Sequence, residues 1–290
     1  MISPYVRRLR LAGELRSLRA SKGLTHEQLA KRIGQSRAQI SRLENGHVAD
    51  QDDVMRILEA LGVDDQRWTD IMTIAREAGE RGWWESNKAM GERQALYANL
   101  EAGATSIREF QMTFIPGLLQ TPEFTKARID AEKTPGARLG YTPEKAVEAR
   151  LGRQRMLRRP GGPTYHLVLD ELAVRRRTAP DEVVKAQLYH MAATVNGSSK
   201  FTIQVLPVAA EIAGYNVPRS AFSIYDFRDA LDPTVVAVDN LTEDMVLTDS
   251  DPVRLYEELF DQLAAAALSP QESLDLLIDA TRGRPYAHGA

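Results

Sequence analysis

The side chains that could do chemistry in this sequence fall into three groups. In the first, Arg37, Gln39 and Arg42 lie within ten residues that open at Ser36. Guanidinium forks can pair bidentately with guanine O6 and N7, and a carboxamide can pair with adenine, if the segment bearing them reaches a base edge. The second is a run of Arg150, Arg153, Arg155, Arg158 and Arg159. At spacings of three and five, several of these share one helical face. Arg150, Arg153 and Arg155 make a candidate partner or anion site, and pairing with the chain's own acids is the alternative. The third is His166 with Asp170, Glu171 and Asp239 at the ends of strand-like segments, groups a hydrolase or transferase could use as acid and base.

Composition narrows these choices. No Cys is present, which excludes disulfides, thiolate metal sites and cysteine nucleophiles. His26, His47, His166, His190 and His288 are scattered rather than spaced as ligands. No His-Glu-x-x-His, Gly-x-Ser-x-Gly or phosphate-cradling glycine loop occurs. The expectation is therefore no metal, no cofactor and no enzymatic activity. No apolar run approaches the roughly 18 residues of a membrane span, and the first residues lack the apolar stretch of a secretion signal. A cytoplasmic protein is expected.

Charge is unevenly divided. Residues 1–46 hold ten basic and three acidic side chains, a balance of +7. The overall charge of −3 then leaves −10 on the other 244 residues. A basic head on an acidic body suits a phosphate-binding unit joined to a separate regulatory one.

The elements that must position these groups can be read from periodicity. Leu9, Leu11, Leu15 and Leu18 form an apolar stripe over a helix from Arg7 to Lys22. Thr25 opens a second helix to Ile33, with Gln28 completing a capping box and Gly34 ending it. Ser36 opens a third helix to Asn45, whose apolar positions Ile40 and Leu43 turn Arg37, Ala38, Ser41 and Arg42 towards solvent. The spacing of Ser36 and Gln39 also fits a capping box, so Gln39 has two readings, base contact or cap. Asp50 opens a fourth helix to Leu61, and a fifth covers about Asp64 to Glu80. Two short helices joined by a tight glycine turn make a helix-turn-helix candidate.

The string from Gly23 to Ala30, Ile33-Gly34, Ser36-Arg37 and the run from Ile40 to Gly46 resemble the phage-repressor, or XRE, family of regulators. The resemblance implies a five-helix phage-repressor-like domain whose third helix enters the major groove of double-stranded DNA. It implies base reading by Arg37, Ala38, Gln39 and Arg42. It implies phosphate contacts from Thr25, His26, Gln28, Lys31, Ser36 and Ser41, with His26 standing where the family usually has Gln. It also implies a partly buried structural ion pair between Arg19 and Glu44.

Beyond the head, Trp83 and Trp84 read as buried core, with a ligand cage as the alternative. Glu101 to Gln111 reads as helix or strand, and Gly136 to Gly140 as a loop. Strands are expected at Thr164 to Leu169, Phe201 to Leu206, Ala221 to Tyr225 and Thr234 to Val238. Helices are expected over Glu123 to Asp130, Thr142 to Arg159, Pro180 to Val195, Pro252 to Leu268 and Pro270 to Thr281. The larger region resembles the C-terminal domain of the WhiJ-like regulators of actinobacteria. The resemblance is carried by Arg81 to Trp84, Ile115 to Pro122, Arg150-x-x-Arg-Gln154, Leu169 to Glu171, Val205 to Pro207 and Leu263 to Ser269. The sequence departs from that family at Asp239 and at Ala173 to Arg177.

The expected fold class is α+β, mostly α. Residues 1–80 form the DNA-binding domain, residues 81–281 a larger regulatory or partner-binding domain of helices around a small β-sheet, and residues 282–290 a mobile tail. The expected function is a sequence-specific transcription regulator, dimeric because one head covers a half-site. Its C-terminal domain would receive a small-molecule ligand or a small protein encoded by a neighbouring gene. Two other readings stand beside it. One is an autoregulatory component of a toxin-antitoxin-like or adaptor pair, and the other is an enzyme of unknown chemistry in the C-terminal domain.

Overall fold

A computed structural model describes residues 1–86, 90–132, 142–240 and 244–282. The chain is α+β and mostly α. The loop expected at Gly136 to Gly140 and the tail beyond Arg282 lie outside the described residues.

The N-terminal elements are α1 (Pro4–Ser21), α2 (His26–Ile33), α3 (Arg37–Leu43), α4 (Gln51–Leu61) and α5 (Asp65–Ala78). Their boundaries follow from caps. Ser3 accepts from the Val6 amide and Pro4 occupies the first turn of α1, where its missing N–H costs nothing. Thr25 and Gln28 form a reciprocal capping box at α2, and Gly34 closes it at φ 69, a conformation that favours glycine. Asp50 caps α4 by accepting from the Asp52 amide. One core holds these helices together, with Leu15, Leu29, Ile40, Val54, Leu58 and Ile71 at its centre. All six are 2% exposed or less.

The described chain divides into two compact units, and the first runs past the boundary read at residue 80. It comprises Met1–Ser86, Gln94–Ala104 and Phe227–Pro233. A four-residue helix α6 (Trp83–Ser86) and most of α7 (Glu92–Gly103) belong to it. Trp84 is buried, with its ring edge-on to Trp83 at 6.1 Å. Ser3 Oγ donates to Asn99 Oδ1 at 2.7 Å. A Cβ on Gly103 would lie 2.5 Å from the Ser3 nitrogen, so only glycine permits this approach. Arg7 and Arg10 pair with Asp229 and Asp232, and Arg7 also meets Glu77 at 2.9 Å.

The second unit is built on a mixed six-stranded sheet. Its strands are β1 (Ala104–Gln111), β2 (Thr164–Asp170), β3 (Phe201–Leu206), β4 (Phe222–Phe227), β5 (Val235–Val238) and β6 (Met245–Leu247), in the order β3-β2-β1-β4-β5-β6. The pairs β1–β2 and β2–β3 are parallel, while β4–β5 and β5–β6 are antiparallel. The helices are α8 (Pro122–Glu132), α9 (Pro143–Arg158), α10 (Glu171–Arg175), α11 (Asp181–Asn196), α12 (Ser250–Ala266) and α13 (Pro270–Thr281). On one face, Phe260 and Leu263 of α12 join Phe110, Val168, Phe222 and Val236 in a single core.

The ambiguous stretch from Glu101 to Gln111 is both things in turn, since α7 ends at Gly103 and β1 starts at Ala104 with no loop between. Sequence patterning did not anticipate α10 or β6, of five and three residues, which are too short to show a period. Among the described residues, no helix is long and apolar enough to cross a membrane.

Candidate nucleic-acid interface

The turn between α2 and α3 aims the third helix. Gly34 reverses the chain in the left-handed region and the Gln35 amide donates to the Ala30 carbonyl at 2.9 Å. Ser36 Oγ then accepts from the Gln39 amide at 3.1 Å and starts α3. Ile40 and Leu43 anchor the helix in the core, at 1% and 6% exposed. Arg37, Ala38 and Arg42 are exposed on the other side, and Ser41 is half-buried between them. Both guanidiniums expected to read bases thus stand in solvent.

Gln39 is placed differently. Its Nε2 donates to Asp53 Oδ2 at 2.5 Å, and its Oε1 lies 3.5 Å from Arg42 Nη2, at the limit of a hydrogen bond. Asp53, in the first turn of α4, is 3% exposed and also accepts from Gln35 Nε2 at 2.8 Å and Arg56 Nη2 at 2.5 Å. The Gln39 carboxamide therefore neither caps its own helix nor points freely outward. It ties α3 to α4. Asp53 was not among the residues singled out from the sequence. Its burial could not be inferred from spacing.

Glu44, at the C-cap of α3, holds the head together. Its two carboxylate oxygens accept from Arg19 Nε at 2.6 Å and Arg19 Nη2 at 2.7 Å, and His26 Nε2 lies 2.9 Å from Oε2. Arg19 Nη1 also donates to the Leu24 carbonyl at 2.7 Å. One buried carboxylate so joins α1, the start of α2 and the end of α3. Burial by itself would raise its pKa, but the hydrogen bonds and charges of Arg19 and His26 outweigh it and hold the carboxyl below the usual range. His26, expected at a phosphate, is turned towards Glu44 instead.

The remaining phosphate candidates sit around the same edge. Thr25, Gln28, Lys31 and Ser36 are exposed. The Gln28 carbonyl oxygen accepts from the Thr25 amide at 2.8 Å, which leaves its NH2 end to donate. Of the ten basic residues behind the +7 balance, four are already committed. Arg7 and Arg10 meet acids, Arg19 meets Glu44, and Arg16 Nη2 donates to the Glu44 carbonyl at 2.5 Å. Arg8 lies over the Tyr5 ring at 5.8 Å. Lys22, Lys31, Arg32, Arg37 and Arg42 remain as exposed positive charge.

The other two groups are dispersed. Arg150 bonds the Gln120 side chain, Arg153 is 7% exposed, and Arg155 alone of the three is exposed, so they do not present one surface. His166 bonds Gln204 at 2.7 Å and meets the Phe260 ring edge-on at 5.0 Å. Burial lowers its pKa, partly opposed by the Gln204 bond. Asp170 caps α10, Glu171 accepts from Arg175 and the Val208 amide, and Asp239 pairs with Arg93. Each is engaged separately, and the described residues contain no group of three or more His, Asp or Glu able to hold a metal ion.

Comparison with known proteins agrees with this geometry. Residues 10–68 match a family model described as a helix-turn-helix domain, which spans α2, α3 and their turn. No curated protein and no solved structure matches the chain. Residues 94–279, more than half of the sequence, match the model of a domain of unknown function, DUF5753, and the protein is accordingly a helix-turn-helix DNA-binding regulator that belongs to the DUF5753 family.

Proposed function

We propose that this protein is a sequence-specific, homodimeric transcription regulator of the XRE type, acting in the cytoplasm, whose DUF5753 domain receives a signal as in the WhiJ-like regulators of actinobacteria. The observation that carries the reading is the exposure of Arg37, Ala38 and Arg42 along a helix whose opposite side is pinned by Ile40 and Leu43. A short helix fixed in this way can lie in the major groove with its N-terminal half at the base edges. Lys31 and Arg32 at the end of α2 suit the adjoining phosphates. Dimerisation follows from site size, because a single head reads only a half-site. The signal is a small molecule or a small partner protein.

Genome-wide mapping of bound sites with the native chain, followed by titration of the recovered sequence in a fluorescence-anisotropy assay, tests this reading. A two-fold-related site bound at least about a thousandfold more tightly than random duplex supports it. Equal affinity for both duplexes overturns it.

A further inference from the structure

The segment joining β4 to β5 belongs with the head, while both strands belong to the second unit. The chain enters the first unit at Phe227 and leaves it after Pro233. Charge holds it there. Arg7 Nη1 donates to Asp229 and Asp232 at 3.0 and 2.9 Å, and Arg10 Nη1 donates to the same carboxylates at 2.5 and 3.3 Å. The arginine side chains are almost covered, at 11% and 10% exposed, and so is Asp232 at 7%. No residue from 227 to 233 is fully buried, and Leu231, the apolar side chain at the tip, is 71% exposed. Among the described residues, the core that joins α1 to α5 takes no side chain from this segment. The head can therefore stay folded with the tip off its seat.

Taking these charges out of water costs about as much as their attraction returns. Burial raises the Asp232 pKa, and Arg10 Nε is buried with no hydrogen-bond partner among the described residues. Such a seat lies close to balance, so a small bias moves it. At the base of the segment, Asp226 accepts from Thr234 Oγ1 at 3.1 Å and from Arg108 Nη2 at 3.3 Å. The same Nη2 donates to Glu257 of α12 at 2.7 Å. At the seat, Arg7 and Arg10 share α1 with Arg16 and Arg19, which hold the carbonyl and the carboxylate of Glu44 at the end of α3. Glu77 of α5 also meets Arg7, so the seated tip locks α1 to α5.

We infer that residues 227–233 form a releasable clasp on α1, through which the sheet sets the operator affinity of the head. Seated, the clasp keeps α3 ready for the duplex. Released, it weakens binding. By linkage, DNA favours the seated form by the same factor as the seated form favours DNA. The inference rests on the reading of the head as a DNA-binding unit.

The sequence has no cysteine, so Leu231→Cys carries a single nitroxide label at the exposed tip. The electron paramagnetic resonance spectrum of the labelled full chain should contain an immobile and a mobile component. Operator duplex, recovered by the mapping described above, should shift it towards the immobile one. In D229N/D232N the label should be mobile with and without duplex, and the duplex should bind at least about fivefold more weakly. If that pair does not give the native circular dichroism, D229N alone serves and should change both readouts in the same direction. Asp229 is the more exposed acid, at 36%. A label equally mobile in native and variant chains overturns the clasp, and so does one that is immobile throughout in the native chain. Unchanged or tighter operator binding by the variant overturns the coupling, as does duplex binding that leaves the native spectrum unaltered. Failure of the native chain to bind any duplex is a separate result. It removes the DNA-binding reading and the coupling with it, while the two spectra still decide the clasp.

Discussion

Gln39, on α3, donates its carboxamide to the buried carboxylate of Asp53 on α4. This contact turns a residue suited to reading adenine into part of the scaffold that fixes the helix. Gln39→Ala should therefore cost about 1.5–3 kcal/mol of stability, the usual worth of a hydrogen bond to a charged group. It should leave base preference within the site unchanged. Chemical denaturation and a binding comparison on single-base operator variants check both halves. A change of preference at one A·T pair would return Gln39 to the groove.

Arg42 is exposed, and among the described residues it has only a long contact to Gln39. Arg42→Ala should weaken operator binding by about 1–3 kcal/mol and relax discrimination at one base pair, with no loss of thermal stability. The same titration with Arg37→Ala tells whether the two guanidiniums read separate positions.

Removing the Glu44 carboxylate strands Arg19 in a partly buried place. Glu44→Ala should destabilise the head by about 3 kcal/mol, the cost of breaking a buried pair at one partner. Operator binding should fall with it, and should recover on cooling where the head refolds. Thermal unfolding followed by circular dichroism measures the first effect.

Acid should undo the same cluster and one other. Asp229 is lowered to about 2, first by the hydrogen bond from the Leu231 amide and then, against an opposing burial effect, by Arg10 and Arg7. Glu44 is lowered too. A group whose carboxylate is favoured by folding gives its full contribution above its unfolded pKa, near 4, and loses it as pH falls through the folded value. Asp232 has the opposite sign, since burial raises it, and offsets part of the effect. The unfolding midpoint should drop between about pH 4.5 and 2, and the drop should be shallower in Asp229→Asn.

Operator affinity should fall with salt, and the slope is set by which cations are free. Ten basic residues would predict a log-log slope near −9 for each head, whereas the five that are exposed and not tied to α1, α3 or an acid predict roughly −4 to −5. Binding titrations between about 50 and 200 mM salt distinguish the two.

Much of the head was written in local signals. The capping box at Thr25, the glycine after Ile33, the serine before Arg37 and the spacing of Ile40 and Leu43 each act over a few residues, so the helices and the outward side of α3 could be read directly. Four expected strands appeared for the same reason. The sequence could not say that Gln39 would reach Asp53, that His26 would turn to Glu44, or that Arg7 and Arg10 would meet acids more than 200 residues away. It also could not separate Arg150 and Arg153, which turn inward, from Arg155, which does not. Periodicity reports which side of a helix is apolar. The partners of a charged side chain depend on elements brought alongside it by folding, and only the tertiary structure decides them.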